Sequence, residues 1–193
     1  MKILFIRHGE AVDDVENRYG GWADYPLSPK GIGQAEAAAE KLVPRKNEFQ
    51  KVLSSPFKRA YQTAEIVSEK LNLPLEPFVY LKERNTYGLL CGEIKEEAQK
   101  KYSELVSAYE NNEPVYGFED YESFVLRIKE LLRQLDKLNL KSIICLTHGK
   151  LIKALLSDFS GQKVGDLADN CLVEAELQNG NLKINKTEGV SFA

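Results

Sequence analysis

The sequence predicts an α/β fold, a three-layer sandwich built on a mainly parallel sheet with an antiparallel edge. Three observations carry this. Residues 2–7, 51–54 and 142–146 are short apolar runs without alternation, the pattern of strands buried on both faces. Between them lie long segments whose apolar residues recur at helical spacing. Near the end, two strand-like runs flank Asn179-Gly180, a favoured two-residue hairpin turn. Strands alternating with helices and then a hairpin give a parallel sheet with an antiparallel margin.

Each element has a local reason. The first strand, Lys2–Arg7, is rich in branched residues and stops abruptly at His8-Gly9. Ser28-Pro29 then supplies an N-cap and a first-turn proline for a helix to about residue 43, with Ile32, Ala35, Ala39 and Leu42 as its inner stripe. After the second strand, Ser55-Pro56 repeats that start for a helix to about residue 71, with Ala60, Ala64, Val67 and Leu71 inward. Residues 78–81 read as a third strand. Residues 93–110 read as one charged helical segment whose Tyr102 and Tyr109, a heptad apart, contact the core. Phe124, Ile128, Leu131, Leu135 and Leu138 mark an amphipathic helix over 120–138, and a last helix after the 142–146 strand buries Ile152, Leu155 and Leu156. The hairpin is expected over 171–177 and 182–185.

Composition bounds the function. The chain has 193 residues, 43% hydrophobic and 28% charged, with a formal net charge of −3. That describes one domain able to bury roughly 70% of its unfolded surface without staples. A nearly balanced charge gives no global field for a nucleic-acid backbone or an anionic membrane, so neither is an expected partner. Any bound anion must be met locally. Cys91, Cys145 and Cys171 form no CxxC pair and read as reduced thiols of a cytoplasmic protein, with Cys145 in the core and Cys91, in a Gly-flanked loop, the one worth testing for reactivity. The apolar stretch before Arg7 is too short for a signal-peptide core or a membrane span.

The chemistry centres on the two histidines, His8 and His148, the only ones in the chain. Each follows an apolar strand and precedes a glycine. In open α/β sheets ligands sit at the carboxyl ends of strands, so both imidazoles are expected to face one crevice. Arg7 beside His8 opposes a metal ion and favours an anion, and Arg59, at the start of the helix after the second strand, strengthens that preference. Two guanidiniums and two imidazoles suit a phosphoryl dianion. Glu83, after the 78–81 run, brings a carboxyl to the same rim as a proton donor for a leaving alcohol. No metal site and no cofactor are expected.

Five segments together resemble the histidine phosphatase superfamily, of phosphoglycerate mutase-like fold: Arg7-His8-Gly9-Glu10; the stretch from Asn17-Arg18-Tyr19-Gly20-Gly21-Trp22 to Ser28; that from Ser54-Ser55-Pro56 through Arg59 to Ala64; Glu83-Arg84-Asn85; and Thr147-His148-Gly149. The resemblance implies that His8 is the nucleophile and becomes phosphorylated. It implies that Arg7, Arg59 and His148 bind the transferring phosphoryl group, and that Glu83 protonates the leaving oxygen and then activates water. The expected substrate-binding set is Arg7, Asp14, Gly20, Gly21, Arg59, Glu83, His148 and Gly149. A neutral imidazole, of ordinary pKa about 6.5, offers a nitrogen lone pair without a separate base, and phosphoryl transfer otherwise needs alignment and charge stabilisation.

The chain departs from the family pattern at two positions. Ala11 and Asp14 stand where relatives often carry a Thr or Ser and an Asn, and Lys150, after Thr147-His148-Gly149, is a candidate compensating charge. Thr86 is one extra residue between Glu83 and Gly88. Residues 84–120 form a cap-like segment. No arginine lies between Arg84 and Arg127, where mutases of this fold carry an arginine pair, and residues 93–122 hold nine acidic and three basic side chains. The reading is a metal-independent phosphatase of a small phosphorylated metabolite. Mutase-type transfer, a catalytically idle phospho-ligand binder and a phosphohistidine protein phosphatase are the alternatives. Substrate identity and oligomeric state are left open.

Overall fold

A computed structural model describes residues 1–193. In chain order the elements are β1 (Lys2–Arg7), α1 (Val12–Val15), α2 (Pro29–Leu42), β2 (Val52–Ser54), α3 (Lys58–Leu71), β3 (Leu75–Pro77), α4 (Lys95–Lys101), α5 (Ser103–Glu110), α6 (Tyr121–Asp136), β4 (Ser142–Thr147), α7 (Gly149–Ser157), β5 (Val164–Gln178) and β6 (Asn181–Phe192). One six-stranded sheet runs in the order β3-β2-β4-β1-β5-β6. The pairs β3/β2, β2/β4 and β4/β1 are parallel, while β5 and β6 add an antiparallel margin beside β1. This is the mixed α/β sheet with an antiparallel edge that the sequence predicts.

Successive side chains of β1 serve opposite layers, which is why its apolar run is unbroken. Ile3 and Phe5 join a 21-residue core with α6 and α7. Leu4 and Ile6 join a 12-residue core with α2 and α3 on the other face. A third, smaller cluster of Tyr19, Leu90, Ala98, Val106 and Val115 lies apart, under α4 and α5.

Several expectations need correction. Residues 78–81 are not a strand: the third strand is Leu75–Pro77, and Val79–Leu81 is a 3₁₀ turn. Its flanking prolines hide it, yet an edge position tolerates them. The segment 93–110 is two helices broken at Tyr102, which is exposed, and only Tyr109 packs inward. Ile32 faces solvent and Gly31 is buried instead. The cause is a close backbone crossing: a Cβ at Gly9 would lie 2.5 Å from the Gly31 carbonyl oxygen, which fixes the inward face of the first turn of α2. Leu138 lies beyond the end of α6, and Leu132 fills the core in its place. The hairpin is far longer than predicted, because β5 runs through a polar stretch with register shifts that obscure alternation.

The start of α3 differs as well. Ser28 caps α2 as expected, its Oγ accepting from the Gly31 N–H at 3.0 Å. Ser55 does not cap α3, which begins at Lys58 after Phe57. The Lys58 N–H donates instead to the Asp24 carboxylate at 2.6 Å, a cap 34 positions away in the chain. This frees the Ser55 hydroxyl for other use.

Candidate active site

The carboxyl ends of β1 and β4 lie side by side, Arg7 pairing with Thr147 in the parallel register. His8 and His148 follow them directly, so their rings meet edge to face with centroids 5.0 Å apart. Both are buried. His8 Nδ1 lies 2.7 Å from the Gly9 carbonyl oxygen, which can only accept, so Nδ1 carries the ring proton and Nε2 keeps its lone pair. Arg59 Nε donates to that Nε2 at 3.2 Å. Burial, reinforced by Arg59 and Arg7, holds the His8 imidazole well below its ordinary pKa of 6.5. His148 is lowered for the same first reason, burial, with Arg59 and His8 adding to it.

Arg59 is gripped on three sides. Its two terminal nitrogens donate to the Ala23 and Gly21 carbonyls, each at 2.8 Å, and its backbone N–H to the Tyr25 carbonyl at 3.1 Å. Arg7 donates to the Leu167 carbonyl at 2.7 Å and pairs with Asp169 at 3.3 Å, leaving its Nε buried with no partner. His148 Nε2 lies 2.7 Å from the Ser55 hydroxyl, which accepts from the Phe57 N–H at 3.3 Å. His148 Nδ1 is buried and unpartnered, and it carries the ring proton in the tautomer whose Nε2 accepts from the Ser55 hydroxyl. Arg7 Nε, on the residue before His8, is thus a buried donor without a partner, and such a donor asks for an acceptor such as an anionic oxygen.

With this geometry established, the comparison with known families is decisive: residues 3–188 match the model of the histidine phosphatase superfamily (branch 1). The chain belongs to that superfamily. It is 33% identical over 183 residues to the uncharacterized phosphatase PhoE of Bacillus subtilis, covering 92% of this chain and 86% of that protein. It is 41% identical over 106 residues to 2,3-bisphosphoglycerate-dependent phosphoglycerate mutase 2 of Bacteroides thetaiotaomicron, covering 53% of this chain and 42% of the other. The chain's match thus spans about half the length of the curated mutases it resembles. A solved phosphoglycerate mutase of Bacillus anthracis superposes with a TM-score of 0.79 at 25% identity, over 96% of this chain and 91% of that one, which is the phosphoglycerate mutase-like fold.

In this histidine phosphatase superfamily member a cleft of about 420 Å³ opens over the strand ends. Arg7, His8, Asp14, Gly20, Gly21, Arg59, Glu83 and Gly149 all line it. His148 does not: it is fully buried behind His8. Glu83 Oε1 accepts from the Arg84 N–H at 2.8 Å and Oε2 from the Lys150 N–H at 3.2 Å. The turn carrying it is stapled from behind. Thr147 Oγ1 donates to the Leu81 carbonyl at 2.7 Å, and Arg127 donates to the Tyr80, Lys82 and Glu83 carbonyls while forking onto Glu119. The extra residue Thr86 leaves Glu83 in the cleft and has a buried hydroxyl without a partner.

Sequence reasoning missed Asp13, Arg18, Tyr87, Lys95, Lys153, Asp166 and Leu167, which also line the cleft. For Lys153 a signal existed, since it stands one helical turn after Lys150 on α7. Arg18 and Tyr87 lie in or beside the family-like segments. For Asp166 and Leu167 nothing local pointed to the site, because the β5 path was unread. Asp14 and Lys150 form no ion pair; the Asp14 carboxylate accepts from the Ala11 N–H at 3.0 Å, and Lys150 Nζ sits 5.2 Å from the Tyr87 ring centroid. Burial lowers the Lys150 ammonium. Cys91 is not an activated thiol: burial pushes its pKa up, and its Sγ lies 3.0 Å from Asn85 Oδ1. No helix is long and apolar enough to cross a membrane.

Proposed function

We propose that this chain hydrolyses small phosphomonoesters through a phosphohistidine on His8. The observation that carries the reading is the state of the His8 ring, whose proton is tied to the Gly9 carbonyl while Nε2 points its lone pair toward Arg59. Nε2 attacks phosphorus as the ester P–O bond breaks, and Arg7 and Arg59, which line the cleft, take equatorial oxygens. Glu83 gives its proton to the leaving alkoxide. It then takes one from water, which attacks phosphorus, breaks the N–P bond and releases inorganic phosphate. The fixed cations supply the charge stabilisation for both transfers, and Asp14, Gly20, Gly21 and Gly149 shape the walls. PhoE's name, over most of both chains, supports hydrolysis as the outcome.

The test is to quench the protein during turnover of ³²P-labelled p-nitrophenyl phosphate. An acid-labile label is expected on the wild type and absent in His8→Ala, with turnover falling about 10³-fold or more. Label that persists in His8→Ala, or none in the wild type, overturns the reading.

Mutase-type transfer is the second reading, favoured by Lys95, Lys150 and Lys153 in the cleft, which would suit a further anionic group on the substrate. Supplying a phosphoglycerate and following isomer exchange against phosphate release separates the two. In the phosphatase reading Lys150→Ala weakens phosphate-ester affinity, since it removes one of the cations that line the cleft.

A further inference from the structure

Asp13 has no part in the chemistry above, and its situation is unusual. It belongs to the short α1, is only 6% exposed, and lines the same cleft as His8, Arg59 and Glu83. Its Oδ1 is buried without any hydrogen-bond partner. The next residue, Asp14, uses its carboxylate on the Ala11 N–H, so the orphaned oxygen is not a general feature of this turn. The carboxyl packs directly against Gly20, where a Cβ would lie 2.2 Å from Asp13 Oδ2. Burial raises the pKa of that carboxyl, Arg59 opposing the shift and Asp14 adding to it.

An unpartnered acceptor in an anion-binding cleft is costly twice, in lost solvation and in repulsion of the phosphate. Both costs are offset when the bound molecule brings a hydrogen-bond donor. An ammonium is a poor candidate, because Arg7, Arg18, Arg59, Lys95, Lys150 and Lys153 line the same space. A metal ion lacks ligands, since no group of three or more His, Cys, Asp or Glu is arranged to hold one. A neutral hydroxyl meets neither objection.

We propose that Asp13 is a specificity-determining residue that accepts a hydroxyl of the substrate's alcohol part, so that the cleft selects phosphomonoesters of polyols and sugars over those of plain alcohols. This rests on the reading that the cleft binds a phosphomonoester, and it deepens that reading by naming the alcohol. The experiment compares calorimetric binding of 2,3-dihydroxypropylphosphonate and propylphosphonate, which cannot be hydrolysed, alongside kcat/KM for glycerol 1-phosphate and propyl phosphate. The wild type is expected to prefer the dihydroxy compound by about tenfold or more, the scale of one hydrogen bond to a charged acceptor. In Asp13→Ala the preference falls to within about twofold, and Asp13→Asn, whose amide oxygen still accepts, lies between. Equal binding by the wild type, or a preference that survives Asp13→Ala, overturns the proposal. If Asp13→Ala does not fold, Asp13→Asn decides, and an unchanged preference overturns it. Hydrolysis without the preference sinks this inference alone; an Asp13-dependent preference in binding without any hydrolysis sinks the phosphatase reading alone.

Discussion

The floor of the cleft and the segment that overhangs it are built on different terms. His8, Arg59 and His148 stand on strand ends or the first turn of α3, buried and tied to main-chain or hydroxyl groups of the loops that follow β1 and β2. The overhang, residues 84–120, packs on its own small cluster around Tyr19, Leu90 and Val106, joined to the rest largely where residues 92–95 meet residues 17–19. Charge divides the same way. Residues 93–122 carry nine acids against three bases, yet the cleft is lined by six basic and four acidic side chains. The acids of the overhang, such as Glu104, Glu110 and Glu113, lie on its exposed side, while Lys95 faces the cleft. Charge summed over a segment says little about the field inside the cavity it borders.

The contrast can be broken most forcefully at the floor. Arg59→Ala is expected to lower kcat by about 10²–10³-fold, the loss seen when one preorganised donor to a developing charge is removed. A drop of less than about threefold in steady-state kinetics would mean that the floor's rigid cation is dispensable.

A smaller effect is expected behind the floor. Thr147→Val keeps the shape but leaves the buried Leu81 carbonyl unpaired, which should destabilise the protein by about 1–3 kcal/mol in urea unfolding. Because that turn positions Glu83, kcat should fall about tenfold with KM little changed. Loss of stability with kcat intact would separate the staple from the chemistry.

Proton affinity sharpens the comparison next. With only two histidines the imidazole resonances can be followed one by one. Neither is expected to titrate at or above 6.5, because burial lowers both. The sign for stability follows: as pH drops below 6.5 the unfolded chain takes up protons that the folded rings refuse, so stability falls with acidification in that window and is steady above it. A midpoint above 6.5 for either ring would contradict the dry, cationic floor. The least effect belongs to the overhang. Reversing Glu104 and Glu113 to Lys should change kcat/KM by less than about threefold at 0.15 M salt, where the Debye length is about 8 Å, and by more at low ionic strength.

How much of this was legible in the sequence follows the same division. Strand ends carrying His8 and His148 were readable because a strand buried on both faces leaves an unbroken apolar run. Arg59 was readable as a site residue, but what aims it was not: the Asp24 cap and the Gly21 and Ala23 carbonyls come from a distant loop. The break at Tyr102 has no glycine or proline to announce it and arises from packing. Asp13 reads as an ordinary surface acid until the fold buries it against Gly20. Local pattern reports what a residue does to its own backbone, and these features depend on partners brought together only by folding.

The loop from Gly21 to Tyr25 holds Arg59 by three carbonyls and closes the end of α3 through Asp24. Swinging that loop aside would strip the guanidinium of its anchors and the helix of its cap in one motion. It therefore serves as the door frame rather than the door. Amide exchange along residues 21–25 should accordingly stay slow during turnover.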